Sequence, residues 1–480
     1  MTTRFEVRQA AYDGLKTQMW LFVDGFARNR HFSVGDARAL ISMAADVAAV
    51  EQGCDYVSAL AEALNFARAP RTAMELAEEV RRVHRKWLEV RHELKKSKKL
   101  RTGAPGAAPP AVSGSGGFTL ISLFTGAYGL DLGFELAGFD AVVALDASEA
   151  SYQNLRANRP RVPFLLGDVA AFRTEDILKE AGLKPGEADV VVGGPPCQPF
   201  SPAGKRQSLS DPRSPPLKHF IRVVAEARPK AFVMEEVPGI LSARMRHVPI
   251  SERGTRPLTP EEEPGSAWKA VLEELRKTGY IIEWKVLNAA DYGAPQVRKR
   301  VIVIGVRPDL KRRPRCPAPT HSRRSQAAPP GAASPWLTLL EAASDIDSHI
   351  GLAPLPSKYL RFISYVPPGG NWRHIPDELR REAMGKAYAA SGGRTGFYRR
   401  LAWFEPSPTL VTSPAMKATM LVHPWEDRPL SVKEYLRIQG FPDDWRVVVS
   451  TSDAYRLFGE AVPVPLARAA AEAVKSVLPP

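Results

Sequence analysis

Apolar positions along this chain follow two different periods, and the change between them falls near residue 118. Before it, apolar side chains recur every three to four positions, which predicts helices over about 8–26, 34–52, 56–66 and 72–96. Ser33 and Asp55 stand where the second and third of these would be N-capped. Residues 1–100 are therefore read as a helical N-terminal domain. Residues 101–117 are mostly Gly, Pro, Ala and Ser, too poor in apolar side chains to fold alone, and predict a flexible linker.

From Phe118 the pattern becomes short, β-branched apolar runs: 118–124, 141–145, 163–166, 188–193, 231–235, 281–287 and 300–306. Most are separated by helix-length segments. Strands alternating with helices predict an α/β fold with a doubly wound, mostly parallel sheet over 118–306. The alternation fails at Arg307. Residues 307–395 are rich in Pro, Arg, Gly and Ser and read as an inserted, irregular lobe. Regularity returns over 396–480, where a last helix near 465–477 is expected to pack back on the sheet.

Composition adds limits. The 480 residues carry a formal net charge of +14, which suits a polyanionic partner. Three scattered cysteines, Cys54, Cys197 and Cys316, form no CxxC or Cys/His group with metal-ligand spacing, so neither a structural metal nor a disulfide framework is expected. A reducing, cytoplasmic setting follows, with no membrane span.

The candidate chemistry sits at strand ends. Cys197 and Gln198 follow two prolines directly after the 188–193 strand, on a stiff platform where open α/β sheets place ligands. Alone, such a cysteine would read as a packed structural thiol. Phe124, Thr125, Gly126 and Gly129 form a glycine-bearing turn between the first strand and a helix. Asp146 ends the second strand, where an acid commonly bonds ribose hydroxyls, and Asp168 follows the third. Three ligand-facing strand ends in order point to a nucleoside cofactor without separating a nicotinamide from S-adenosylmethionine. Glu235 and Glu236 end a further strand, and strand alternation lets only one of them face a shared site. Gln296, Arg298 and Arg300 alternate to one side of the next run.

Six blocks (124–133, 193–203, 235–239, 296–300, 430–442 and 459–466) resemble, in order and spacing, the motifs of DNA cytosine-5 methyltransferases. The resemblance spans Phe118 to the C-terminus. It implies a Rossmann-like methyltransferase domain, S-adenosylmethionine as methyl donor without a metal, and double-stranded DNA as substrate. It makes Cys197 the nucleophile and Glu235 the acid on the cytosine edge. Arg298 becomes the arginine that orients base and carboxylate, with Gln198 and Arg300 beside them. Phe124, Thr125, Gly126, Gly129, Asp146, Asp168, Pro195, Glu460 and Val462 become cofactor contacts. Residues 201–216, with Lys205, Arg206 and Arg213, become the loop that closes over a flipped base.

The irregular lobe becomes a target-recognition domain, where Arg361, Asn371, Arg373 and Arg394 are candidates for reading bases. A monomer on DNA, nucleoid-associated in a prokaryotic cytoplasm and paired with a cognate restriction endonuclease or solitary, is the expected context. Transfer RNA methylation and a non-catalytic DNA-binding regulator are the competing readings. Three positions depart from the family pattern. Tyr128 stands where a second glycine is usual and is expected to narrow or line the cofactor pocket. Glu236 and Glu460 replace asparagines, with the expectation that the two carboxyls are close and one has a raised pKa.

Overall fold

A computed structural model describes residues 117–196, 216–323, 333–389 and 395–479, apart from isolated positions within 247–253 and 344–350 and at 403, 404 and 425. The expected N-terminal helices, nearly all of the linker, Cys197, Gln198, Lys205, Arg206, Arg213 and Arg394 lie outside the described residues.

The apolar runs become seven strands: β1 (Phe118–Leu123), β2 (Phe139–Asp146), β3 (Phe164–Leu166), β4 (Val190–Gly193), β5 (Ala231–Glu236), β6 (Ile281–Asn288) and β7 (Lys299–Val306). They form one sheet in the order β3-β2-β1-β4-β5-β7-β6. The first five strands are mutually parallel, while β7 runs antiparallel to both β5 and β6. The reversal follows from connection length: only ten residues join β6 to β7, too few for a crossover helix, so the chain turns back beside itself.

Alternate side chains feed two cores. Ile121, Leu123, Val191, Phe232 and Met234 face the helices α3 (Thr174–Ala181), α4 (Pro216–Ala227) and α5 (Ser266–Lys277). Leu120, Val190, Val192, Val233 and Ile302 face α1 (Gly129–Leu136) and α10 (Val464–Lys475) instead. The last helix thus returns to the sheet. A second helix, α2 (Glu149–Asn158), follows β2, with Ser148 as its N-cap.

A second compact unit has as its described parts 356–389, 395–402, 422–424 and 426–428. It contains α6 (Ser357–Ile363) and α7 (Asp377–Met384) and is centred on Arg400. That buried guanidinium donates to the carbonyls of Ile363, Val366, His423 and Glu426 and pairs with Asp427. Residues 307–355 belong to the first compact unit, and the described parts of 422–428 belong to the second, where their carbonyls serve Arg400. Asn371 Oδ1 accepts the Arg373 amide (3.1 Å) as a cap, and Arg361 pairs with Glu382 (2.8 Å).

A Cβ added at Gly305 on β7 would meet the Phe232 ring at 2.0 Å, so the sheet closes there only over a bare backbone. Gly305→Ala is expected to destabilise the catalytic unit by about 1–3 kcal/mol, read from denaturant unfolding. An unchanged midpoint would overturn this packing.

Candidate active site

The turn after β1 departs from ordinary backbone at three places. Phe124 (φ 56°), Gly126 (φ 53°) and Tyr128 (φ 73°) all lie in the left-handed region, which costs a side-chain-bearing residue roughly 1–2 kcal/mol. Tertiary bonds fasten the turn. The Thr125 amide donates to Leu145 O (3.2 Å), Ser151 Oγ donates to Gly126 O (2.6 Å), and Asn154 Nδ2 donates to Ala127 O (3.2 Å). A Cβ at Gly126 would touch nothing nearer than Phe124 O at 3.9 Å, so space remains beside the turn. Gly129 instead is pressed against Val462, whose carbonyl would lie 2.4 Å from an added Cβ.

Asp146, at the end of β2, accepts the amides of Gly126 and Ser148, each at 2.8 Å. Burial raises its pKa and those two amides pull it back. Asp168 is exposed beyond β3, accepting the Ala170 amide at 2.8 Å. Asp131, which the sequence reading passed over, is buried in the first turn of α1 with Oδ1 unpartnered. Burial, with Glu135 and Asp146 adding, pushes its carboxyl up to about 7 against the Ser122 hydroxyl.

At the end of β5, Glu235 forms an ion pair with Arg300 Nε. Gly194 lies against the same carboxylate, since a Cβ there would come within 2.8 Å of Glu235 Oε2. The arginine beside Glu235 is thus Arg300, whereas the resemblance gave that place to Arg298. Strand alternation does turn Gln296, Arg298 and Arg300 inward together, and all three are buried. Arg298 is spent on main chain: Nη1 donates to Leu410 O (3.1 Å) and Nη2 to Glu460 O (2.9 Å). Burial foremost, then the Arg300 charge, lowers its pKa to about 9.

Gln296 is equally structural. Its Nε2 donates to Gln439 Oε1 (3.0 Å), and its Oε1 accepts the Leu410 amide (3.0 Å). Gln439 ends α8 (Val432–Gln439) and passes the connection on to Ala461 O (3.2 Å). The sequence reading missed Gln439, although it stands just before the Gly-Phe-Pro of a block already singled out.

The departures resolve differently. Tyr128 is fully buried, its hydroxyl donating to Glu135 Oε1 (2.6 Å), so it does not line open space. The reason is its left-handed backbone, from which the ring reaches Trp445, 6.2 Å away between centroids. Glu236 is buried, its Oε2 accepting the Val237 amide at 3.2 Å. Glu460, at the end of α9 (Thr451–Glu460), is exposed, yet its carboxyl is raised, mainly by partial desolvation. Asp146 is the acid that adds to that shift. Pro195 is buried.

Among the described residues no group of three His, Cys, Asp or Glu could hold a metal ion, and no helix is long and apolar enough to cross a membrane. A sheet whose polar groups gather at the carboxyl ends of β1, β2, β3 and β5 has the arrangement in which α/β enzymes bind their ligands. The chain belongs to the C-5 cytosine-specific DNA methylase family, whose model matches residues 118–476.

Among its relatives, the type II methyltransferase M.PspPI of Psychrobacter sp. (strain TA137) is 36% identical, over 77% of this chain and 81% of that protein. The type II methyltransferase M.Sau96I of Staphylococcus aureus is 32% identical over 73% and 74% respectively. For M.Eco47II of Escherichia coli the figures are 34%, 75% and 79%. The protein is a DNA cytosine-5 methyltransferase, and membership implies S-adenosylmethionine as methyl donor.

Asp131 gives the catalytic unit a pH signature. An unfolded aspartate titrates near 4, whereas the folded one stays protonated up to about 7. The stability it lends is full below the unfolded value and is lost as pH rises through about 7. In Asp131→Asn, the fall in unfolding free energy between about pH 5 and pH 8 should shrink by on the order of 3 kcal/mol. Parallel pH profiles for the two proteins would refute a neutral Asp131.

Proposed function

We propose that this enzyme methylates one short DNA sequence at carbon 5 of a flipped cytosine, through a covalent adduct with Cys197. The observation that carries the reading is the Glu235–Arg300 ion pair set against Gly194. Cys197 follows Gly194 by three residues, which span at most about 11 Å. The thiol is therefore tethered within reach of a base resting on that pair.

Carbon 5 of cytosine is a poor nucleophile, so the ring is first activated. The Cys197 thiolate adds to carbon 6, and the displaced electron pair makes carbon 5 nucleophilic. Glu235 passes a proton to ring nitrogen 3, which neutralises the negative charge the thiolate brings to the ring, and accepts from the exocyclic amine. Arg300 holds that carboxylate in place. Bound S-adenosylmethionine supplies the electrophilic methyl group. Loss of the carbon 5 proton and departure of the Cys197 thiolate then restore the aromatic ring. A base inside a duplex is out of reach of this machinery, so it leaves the stack first.

The residues at the cofactor edge fit that donor. Asp146 keeps lone pairs for the ribose hydroxyls, and exposed Asp168 faces the adenine amine. Phe124, Thr125, Gly126 and Gly129 form the turn against which the cofactor lies, with Pro195, Glu460 and Val462 completing its surroundings. The second unit, with Arg361, Arg373 and Arg394, reads the DNA, whereas the Asn371 acceptor is engaged by the Arg373 amide. The names of the type II relatives support a restriction-modification setting with a cognate endonuclease.

The test is transfer of labelled methyl groups from S-adenosylmethionine to mixed-sequence duplex DNA, with modified positions mapped by sequencing. Methylation at carbon 5 in one short context is expected. Cys197→Ser should abolish it, and Glu235→Gln should lower kcat by roughly 100-fold. Transfer to RNA in place of DNA would overturn the reading.

A further inference from the structure

Tyr128 occupies a backbone conformation that glycine would adopt without strain, and its ring is wholly buried. What it packs against explains its presence. The ring stacks on Trp445 at 6.2 Å with an interplanar angle of 21°. Its hydroxyl bonds Glu135, which is paired with Arg159 at 2.9 Å, and the Arg159 guanidinium lies over the Trp445 ring at 5.3 Å. Trp445 itself donates through Nε1 to Asn154 Oδ1 (3.1 Å), and the other end of that amide holds Ala127 O. One residue on, Asn158 bonds the Arg446 amide and carbonyl at 2.8 and 2.9 Å. A closed ring of contacts therefore joins the turn after β1, the helix α2 and the segment between α8 and α9.

We infer that Tyr128 is a positioning residue for the cofactor: through Trp445 it clamps the 124–128 turn in its ligand-binding shape. The inference rests on the proposed assignment of that turn to S-adenosylmethionine. The mechanism is preorganisation. Gly126 donates its amide to Asp146 from within this turn, so the clamp sets where the ribose-binding carboxylate and the open face of the turn stand relative to each other. Tyr128 touches neither the base nor the Glu235–Arg300 pair in this arrangement, so its effect belongs to cofactor affinity and not to the chemical step.

Calorimetric titration of the full-length enzyme with S-adenosylmethionine tests this, alongside kcat for DNA methylation at saturating cofactor. Tyr128→Gly relieves the backbone but removes the ring, and Trp445→Leu removes the other half of the stack. Each should weaken binding about tenfold, with kcat within about twofold of the parent, and the double variant should be no weaker than the worse single one. Tyr128→Phe, which keeps the stack, should rescue binding to within about threefold. If Tyr128→Gly does not fold, Tyr128→Asn, which also tolerates the left-handed backbone and also removes the ring, takes its place in the same comparison of single and double variants.

Unchanged affinity in Tyr128→Gly, multiplying losses in the double variant, or a fall in kcat without a change in Kd would overturn the clamp. Failure of the parent enzyme to bind S-adenosylmethionine at all would instead overturn the cofactor assignment, and the clamp with it.

Discussion

A guanidinium without water must find its partners in the protein, and Arg298 finds them in the carbonyls of Leu410 and Glu460. Burying such a charge is tolerable only while those bonds are kept. The arginine stands more than a hundred residues before either carbonyl, so satisfying it fixes two distant segments against the start of β7. Gln296 and Gln439 add neutral links of the same kind, and Ala461 is drawn in through Gln439. Arg300, two residues along, is thereby held at the place where it meets Glu235. The Glu235–Arg300 pair is only as well placed as the buried residue beside it.

This division of labour separates two arginines that look alike in sequence. Alternation puts Arg298 and Arg300 on the same side of the chain, and nothing in the spacing says which reaches the carboxylate. The decision belongs to depth. Arg298 is almost fully enclosed, and its planar fork serves main-chain oxygens; Arg300 keeps slight exposure and meets the acid.

Much of the fold was legible because hydrophobic period is a local property. Each of the seven apolar runs over 118–306 became a strand, with boundaries shifted by a few residues at most. The alternation with helices foretold a largely parallel sheet. The antiparallel β7 was less visible, because it depends on the short stretch between two runs and not on the runs themselves. Strand ends announced Asp146, Asp168 and Glu235 by position. Asp131, Gln439 and the fate of Tyr128 were hidden because each acts through a partner far away in the chain. A tyrosine in place of glycine reads as an obstruction until Trp445 is seen to receive its ring. The bonds of Arg400 were hidden for a related reason: two of the carbonyls that complete it, those of His423 and Glu426, lie more than twenty residues further along the chain.

The helix α10 decides when the fold is completed during synthesis. Its apolar face joins that of α1 over Leu120, Val190 and Ile302, so part of one side of a sheet begun at Phe118 stays uncovered until residues 464–475 have been made. A ribosome adding roughly 5–20 residues each second leaves that part bare for many seconds after β7 has been made. The carbonyl of Glu460 reaches Arg298 only in the same closing interval. An enzyme that marks DNA thus gains its buried cation's second partner and the rest of its sheet cover within one short stretch of chain, and a chain interrupted before Glu460 lacks both.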